Sequence, residues 1–249
     1  MIIALALTEV ERMTQLLQTA IRNKLLSALS PFDFARLSPH LEPVTLPRLY
    51  ELASPGLIAN YCYFLETGIG SIVAEAHNGR KAEIGMFGRE GMSPTSLVLH
   101  APSAPFSTFM QIAGHGYRLQ SIQLSHALEE SFSLRTLLLR FAQVMTVQAS
   151  FTALSNATDR IEQRLARWLL MCHDRSDGQP IALTHAFVSD MLAVRRQSIT
   201  TALHVLEGNH LISAERNQIT IEDRHGLEEF AGAAYGPAED TYRRLIGAF

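Results

Sequence analysis

Long hydrophobic runs, clustered cysteines and an excess of basic charge are all missing from this 249-residue chain. The longest apolar start, MIIALAL at positions 1–7, is too short to span a bilayer. It also lacks the basic lead and cleavage site of a secretory signal. No membrane partner is expected, and Met13 is an alternative start that would leave this stretch outside the fold. The two cysteines, Cys62 and Cys172, lie far apart in apolar surroundings. They exclude a disulfide framework and a zinc ligand set, and they suit a reducing cytoplasm. Net charge is −3, so no global basic field draws the chain to nucleic acid. Lysine is nearly absent: Lys24 and Lys81 stand against nineteen arginines. Arginine suits bidentate contacts to guanine or phosphate, although the same bias follows from a GC-rich genome.

What is present is a globular composition, 47% hydrophobic and 18% charged, sufficient for one large or two modest cores. Three textures follow one another. Residues 22–37 read as an amphipathic helical lead with Leu25, Leu26, Leu29, Phe34 and Leu37 on its apolar side. From Pro43 to about Leu119, Gly and Pro cut the chain into short runs at 57–65, 70–76, 82–87 and 106–113. With an Asn78-Gly79 turn between two of them, these predict an antiparallel sandwich or roll. Helix then takes over. After a short candidate at 122–129, residues 133–155 contain neither Gly nor Pro.

In that long segment Leu134, Leu138, Phe141, Met145, Gln148, Thr152 and Ser155 recur at alternating steps of four and three. Leu137, Val144 and Phe151 form a neighbouring stripe. A heptad seam of roughly 35 Å lying between two domains predicts pairing with a second copy, with the six residues from Leu134 to Thr152 at the contact. The competing reading buries the helix against its own β-domain. A further helix is predicted over 159–173, capped by Asn156 or Thr158, with Trp168 in its core. The polar segment 174–180 breaks it.

Residues 184–212, THAFVSDMLAVRRQSITTALHVLEGNHLI, read as two short helices about a tight turn. Val188, Leu192, Val194, Ile199, Leu203 and Leu206 make their inner faces, while Ser189 and Ala193 permit close approach and the bend. Arg196, Gln197 and Thr201 are left pointing outward, as needed to reach base edges in a major groove. Leu211-Ile212 and residues 218–221 flank Glu215-Arg216-Asn217 as a hairpin wing. Residues 222–239 are acidic, so any DNA contact is local to the second helix and the wing tip.

In this order, roll, long helix and winged helix-turn-helix, the chain resembles the Crp/Fnr family over residues 24–230. The most specific segments are DRIEQRLARWLL at 159–170 and the whole of 184–212; FGREGM at 87–92 adds to them. The resemblance implies an α+β fold: an antiparallel, cyclic-nucleotide-binding-type β-roll at 22–132, a dimerisation helix at 133–156 and a winged helix-turn-helix at 157–235. It further implies a bacterial, cytoplasmic homodimer that binds palindromic promoter DNA and contacts RNA polymerase. Arg196, Gln197 and Thr201 fall on the family's base-reading positions, Arg195 and Ser198 on neighbouring phosphate positions, and Thr184 and His185 on backbone-contact positions. Many members carry Glu where Gln197 stands and Arg where Thr201 stands, so a different operator is implied.

The family's cyclic AMP site needs an acid for the ribose and an arginine for the phosphate. Here Phe106 stands at the arginine's place, and Gly91-Met92-Ser93-Pro94 offers no acid. An anionic phosphate beside Phe106 would lack its countercharge. Cyclic AMP is therefore not expected to bind, and any effector is another apolar or anionic molecule. Arg89 with Glu90 reads as a surface pair. Two cysteines cannot hold an iron–sulfur cluster, His77 beside the Asn78-Gly79 turn reads as exposed, and Cys62 reads as a buried strand residue rather than a redox switch. No cofactor is expected. Two other functions compete: a β-roll enzyme and a winged helix that binds only proteins. The first lacks clustered His ligands, for His77, His100 and His115 are dispersed, and the chain has no G-x-S-x-G turn, H-E-x-x-H helix or phosphate-cradling loop. The second leaves the polar Arg-Arg-Gln-Ser helix start without a role.

Overall fold

The computed structural model describes residues 16–177, 180–215 and 218–249. After a 3-10 turn at Gln18–Ala20 come two short helices, α1 (Lys24–Ser27) and α2 (Pro31–Leu37), where one helical lead was expected. Ser30 accepts from the Asp33 amide and Pro31 occupies the first turn, so the chain must restart a helix there.

Eight strands then build two four-stranded antiparallel sheets. One orders β1 (Glu42–Leu46), β8 (Gly114–Gln120), β3 (Tyr61–Leu65) and β6 (Met92–Ser93). The other orders β2 (Glu51–Ala53), β7 (Ser107–Ile112), β4 (Ile69–Glu75) and β5 (Lys81–Phe87). Gly79 takes a positive φ of 78° in the β4–β5 turn, as its Asn-Gly sequence demands, and His77 is exposed beside it. Cys62 is fully buried, and burial pushes its thiol up to about 12. The first core joins Leu46, Phe64, Leu65, Phe87, Met92 and Leu119 to Leu25, Leu26 and Leu37.

Helix α3 (Ser121–Glu130) leads into α4 (Phe132–Thr158), where the Ser131 hydroxyl accepts from the Leu134 amide. Among the described residues α4 alone is long and apolar enough to cross a membrane. Its bulky row is instead packed on its own roll: Leu134, Leu138 and Phe141 are buried in the first core. This corrects the expected dimer seam. Gln148 is buried too, accepting from the Met86 amide at 2.7 Å and donating to the Met86 carbonyl at 3.2 Å. Gly85 makes room for it, since a Cβ there would meet Gln148 Oε1 at 2.8 Å. Met145 is half-buried against the same core, and half-buried Thr152 takes up the Gln148 carbonyl and Arg167. The larger apolar row belongs to the larger apolar surface. What α4 turns outward is a second heptad row: Phe132, Thr136, Leu139, Gln143, Thr146, Ser150, Ala153 and Ala157.

Helix α5 (Ile161–His173) starts two residues later than expected, because α4 continues through Asn156 and Thr158. It organises the second core with α6 (His185–Met191), α7 (Arg196–Gly208), the β9 (Ile212–Glu215)–β10 (Gln218–Ile221) hairpin and α8 (Arg224–Ala231). Ile69, Val73 and Met86 of the roll join that core. The acidic stretch is folded. It forms α8 and the start of α9 (Pro237–Leu245), where Glu239 is buried and accepts from the Gly236 amide. Beyond the expected boundary at 235, α9 packs on α4, and Tyr242 enters the first core.

Candidate nucleic-acid interface

The helix pair owes its turn to Ala193, held at φ 54°, a left-handed angle that large or branched side chains resist. Thr184 caps α6 by accepting from the Phe187 amide at 3.1 Å. Arg164 of α5 donates to the Leu192 carbonyl at the other end. Val188, Ile199, Leu203 and Leu206 are fully buried between the helices, which fixes the phase of α7. Arg196, Gln197 and Thr201 therefore face solvent, with Arg195 exposed at the N-cap and Ser198 half-buried. Among the described residues no ion pair engages either arginine. A guanidinium pair at a helix N-terminus adds to the positive end of the helix dipole, and together they favour an anionic partner.

The other expected contacts differ in availability. The Thr201 hydroxyl bonds back to the Gln197 carbonyl at 3.2 Å. The Thr184 hydroxyl serves its cap, and half-buried His185 meets Thr200 Oγ1 at 3.2 Å through Nδ1. His204, not singled out from the sequence, is exposed one turn beyond Thr200 and extends the outward face. Glu215 ends β9; the rest of the expected wing tip, residues 216 and 217, lies outside the described residues.

The helix pair is joined to the roll by groups that sequence reading missed. Phe187 of α6 stacks edge-on against Phe109 at 6.4 Å between centroids, and Arg48 lies over its other side at 5.0 Å. Behind them runs a buried polar chain. Trp168 Nε1 donates to Glu83 Oε1 at 2.8 Å, Ser71 Oγ lies 2.5 Å from Glu83 Oε2 and 2.7 Å from Gln111 Oε1, and Gln111 donates to Cys172 Sγ at 3.1 Å. The single Ser71 proton serves only one of its two oxygen neighbours. A protonated Glu83 resolves this by donating to Ser71, which then donates to Gln111. Desolvation agrees: it pushes Glu83 up to about 7, against the weaker opposing pull of its hydrogen bonds and of Arg175 and Arg167.

The folded chain thus holds a proton that the unfolded chain releases above its ordinary carboxylate value of 4.5. Stability is expected to fall as pH rises from about 4.5 to about 7, the folded value. Glu83→Gln should flatten that slope, measured as urea midpoints across the window; an unchanged slope would remove Glu83 as its source.

The FGREGM segment also differs from expectation. Glu90 is buried, accepting from the Gly88 amide at 3.0 Å and from Arg175 Nε at 2.7 Å, while Arg89 pairs with Asp177. No local sequence signal marks Arg175, 85 positions away, as the partner.

A roll carries a long helix and a helix-turn-helix with a hairpin wing, and among the described residues no ion pair holds the arginines at the exposed start of the second helix of the pair. Residues 163–230 match the family of Crp-like helix-turn-helix domains. The chain is also similar to solved structures over more than three quarters of its length. FixK2 from Bradyrhizobium japonicum shares 17% identity, with 78% of this chain and 98% of that one covered and a TM-score of 0.65. A CRP-family transcriptional regulator from Thermus thermophilus shares 18%, over 78% and 98%, with a TM-score of 0.64. The c-di-GMP-responsive global regulator CLP of Xanthomonas campestris shares 15%, over 77% and 99%, with a TM-score of 0.62. No curated protein matches the chain. Residues 163–230 thus belong to the family of Crp-like helix-turn-helix domains, and the chain as a whole shares the fold of these solved regulators.

Proposed function

We propose that the chain acts in the cytoplasm as a homodimer that binds a two-fold-related promoter site and regulates transcription there with RNA polymerase. The observation that carries this reading is the exposed Arg195-Arg196-Gln197 start of α7, free of ion pairs among the described residues and held in phase by a fully buried opposite face. Arg196 reads guanine through O6 and N7, Gln197 reads adenine through N6 and N7, and Arg195 and Ser198 hold phosphates. Thr201, Thr184 and His185 contribute as their local bonds allow. This reading divides the labour near 132 and 156, with 237–245 assigned to the roll side. Selection from a random double-stranded DNA library with purified protein should enrich an inverted repeat whose half-sites lie about 34 Å apart. Enrichment of an unrepeated half-site, or of nothing, would overturn the dimeric operator.

The dimer forms through the outward row of α4. Leu139 is 41% exposed, and Thr146, Ser150, Ala153 and Ala157 are small enough for close helix approach. Leu139→Arg combined with Ala153→Arg should yield folded monomers by sedimentation. Leu138→Asp should instead cost more than about 3 kcal/mol of stability, because it places a charge in the roll core. A stable Leu138→Asp monomer would return the dimer contact to the inward row.

A further inference from the structure

The polar chain behind α6 lies on the seam between the roll and α5. Ser71, Glu83 and Gln111 stand on strands β4, β5 and β7 of the roll, while Trp168 and Cys172 stand on α5. Glu83 is 6% exposed, and the charged groups facing it are arginines of α5 and its C-terminal cap, none of which reaches it. Arg164 donates to the Leu192 carbonyl, Arg167 to the Ala234 carbonyl and Arg175 to Glu90. From α4 and α6 the carboxyl meets only uncharged neighbours, Thr152, Ser155 and Met191 among them. Burial holds the Cys172 thiol neutral, well above its ordinary value. A Glu83 carboxylate would thus be enclosed with no ion pair among the described residues. The acid form fits: it donates to Ser71, accepts from Trp168 and leaves Ser71 to donate to Gln111.

We propose that Glu83 is a proton-operated latch between the roll and the helix-turn-helix unit, closed on Trp168 while its carboxyl carries a proton and released when the proton leaves. Deprotonation strands a charge that only water can solvate, and water reaches it when α5 draws back from β4 and β5. Helix α5 shares its core with α7, so its withdrawal also frees Arg196 and Gln197 from their fixed place relative to the roll. The closed form holds the proton, so acid closes the latch and rising pH opens it. Desolvation of Glu83 puts the change near neutrality, at about 7, where an exposed carboxyl is already fully ionised. The effect on DNA rests on the regulator reading; the latch itself does not.

Trp168 is the chain's one tryptophan, so the fluorescence of the full chain reports on the latch. Titration from acid to alkaline pH should shift its emission to the red, with a midpoint near 7. Glu83→Gln keeps a partner for both Trp168 and Ser71 but cannot titrate, and its emission should stay unshifted throughout. Histidines titrate in the same range and remain in that variant, so the comparison removes their contribution. If Glu83→Gln does not fold, Glu83→Met fills the same space without a charge and serves the same purpose. Affinity for the operator found by DNA selection should fall about five-fold or more across the window, and Glu83→Gln should remove the larger part of that fall. Emission indifferent to pH overturns the latch and assigns Glu83 as a carboxylate, with Gln111 turned to accept from the Cys172 thiol. The same red shift in the variants overturns it as well. Operator affinity that ignores the emission change overturns the coupling to DNA. Absence of operator binding at every pH removes the regulator reading, and the emission shift then still supports the latch.

Discussion

Joint Arg196→Ala and Gln197→Ala is expected to weaken binding to the selected operator by roughly two orders of magnitude or more, leaving the dimer and the thermal midpoint unchanged. Each bidentate side chain-to-base contact is worth about 1–3 kcal/mol of discrimination, so losing both removes most of the preference for operator over random DNA. Neither side chain packs on the protein, since the buried face of α7 is made by Ile199, Ala202, Leu203 and Leu206. That is why no folding cost should accompany the loss. Arg195→Ala should behave differently. A phosphate contact lowers affinity for all sequences alike and reduces the salt dependence by about one released counterion. Gel shifts at several salt concentrations, with operator and scrambled duplexes, distinguish the two patterns. Unchanged selectivity in the double variant would show that α7 does not read bases.

Removing one member of the Arg175–Glu90 pair should cost about 3–5 kcal/mol, the largest single-residue stability effect expected here. The pair is almost fully enclosed, with side-chain exposures of 2% and 4%. Arg175 Nη1 also donates to the Met171 carbonyl at 2.7 Å, Phe249 lies over the guanidinium at 5.1 Å, and the Tyr242 hydroxyl donates to the Glu90 carbonyl at 2.9 Å. Roll, α5 and the C-terminal helix meet at this point. Glu90→Ala leaves a buried cation and Arg175→Ala a buried carboxylate, each desolvated without compensation. Replacing both by methionine removes both charges and should recover most of the loss. Urea unfolding of the wild type, the two single variants and the double replacement measures these losses and the recovery. A single variant losing under about 1 kcal/mol would mean the pair is open to water.

The long helix shows where sequence reading stops. Its period was plain, but α4 carries two heptad rows, one through Leu134, Leu138 and Phe141 and one through Leu139, Gln143 and Ala153. Periodicity locates both and assigns neither, because the choice depends on which outside surface is the larger apolar one. The roll supplies that surface, so the bulky row turns inward. The same limit explains Glu90. Beside Arg89 it resembled a solvated pair, and only the folded chain brings Arg175 to it. The runs between Gly and Pro marked four strands, whereas short β2 and β6 exist through their partners across the sheet.

The outward phase of Arg196 and Gln197 was settled by the sequence alone. Helix geometry is local, and the apolar positions within one 29-residue segment suffice to set which side faces water. Tertiary structure alone decided the inward row of α4, the buried carboxyl beside Trp168 and the buried ion pair. Each depends on segments tens of residues apart meeting without water, and burial of that kind is a property of the assembled fold rather than of any stretch within it.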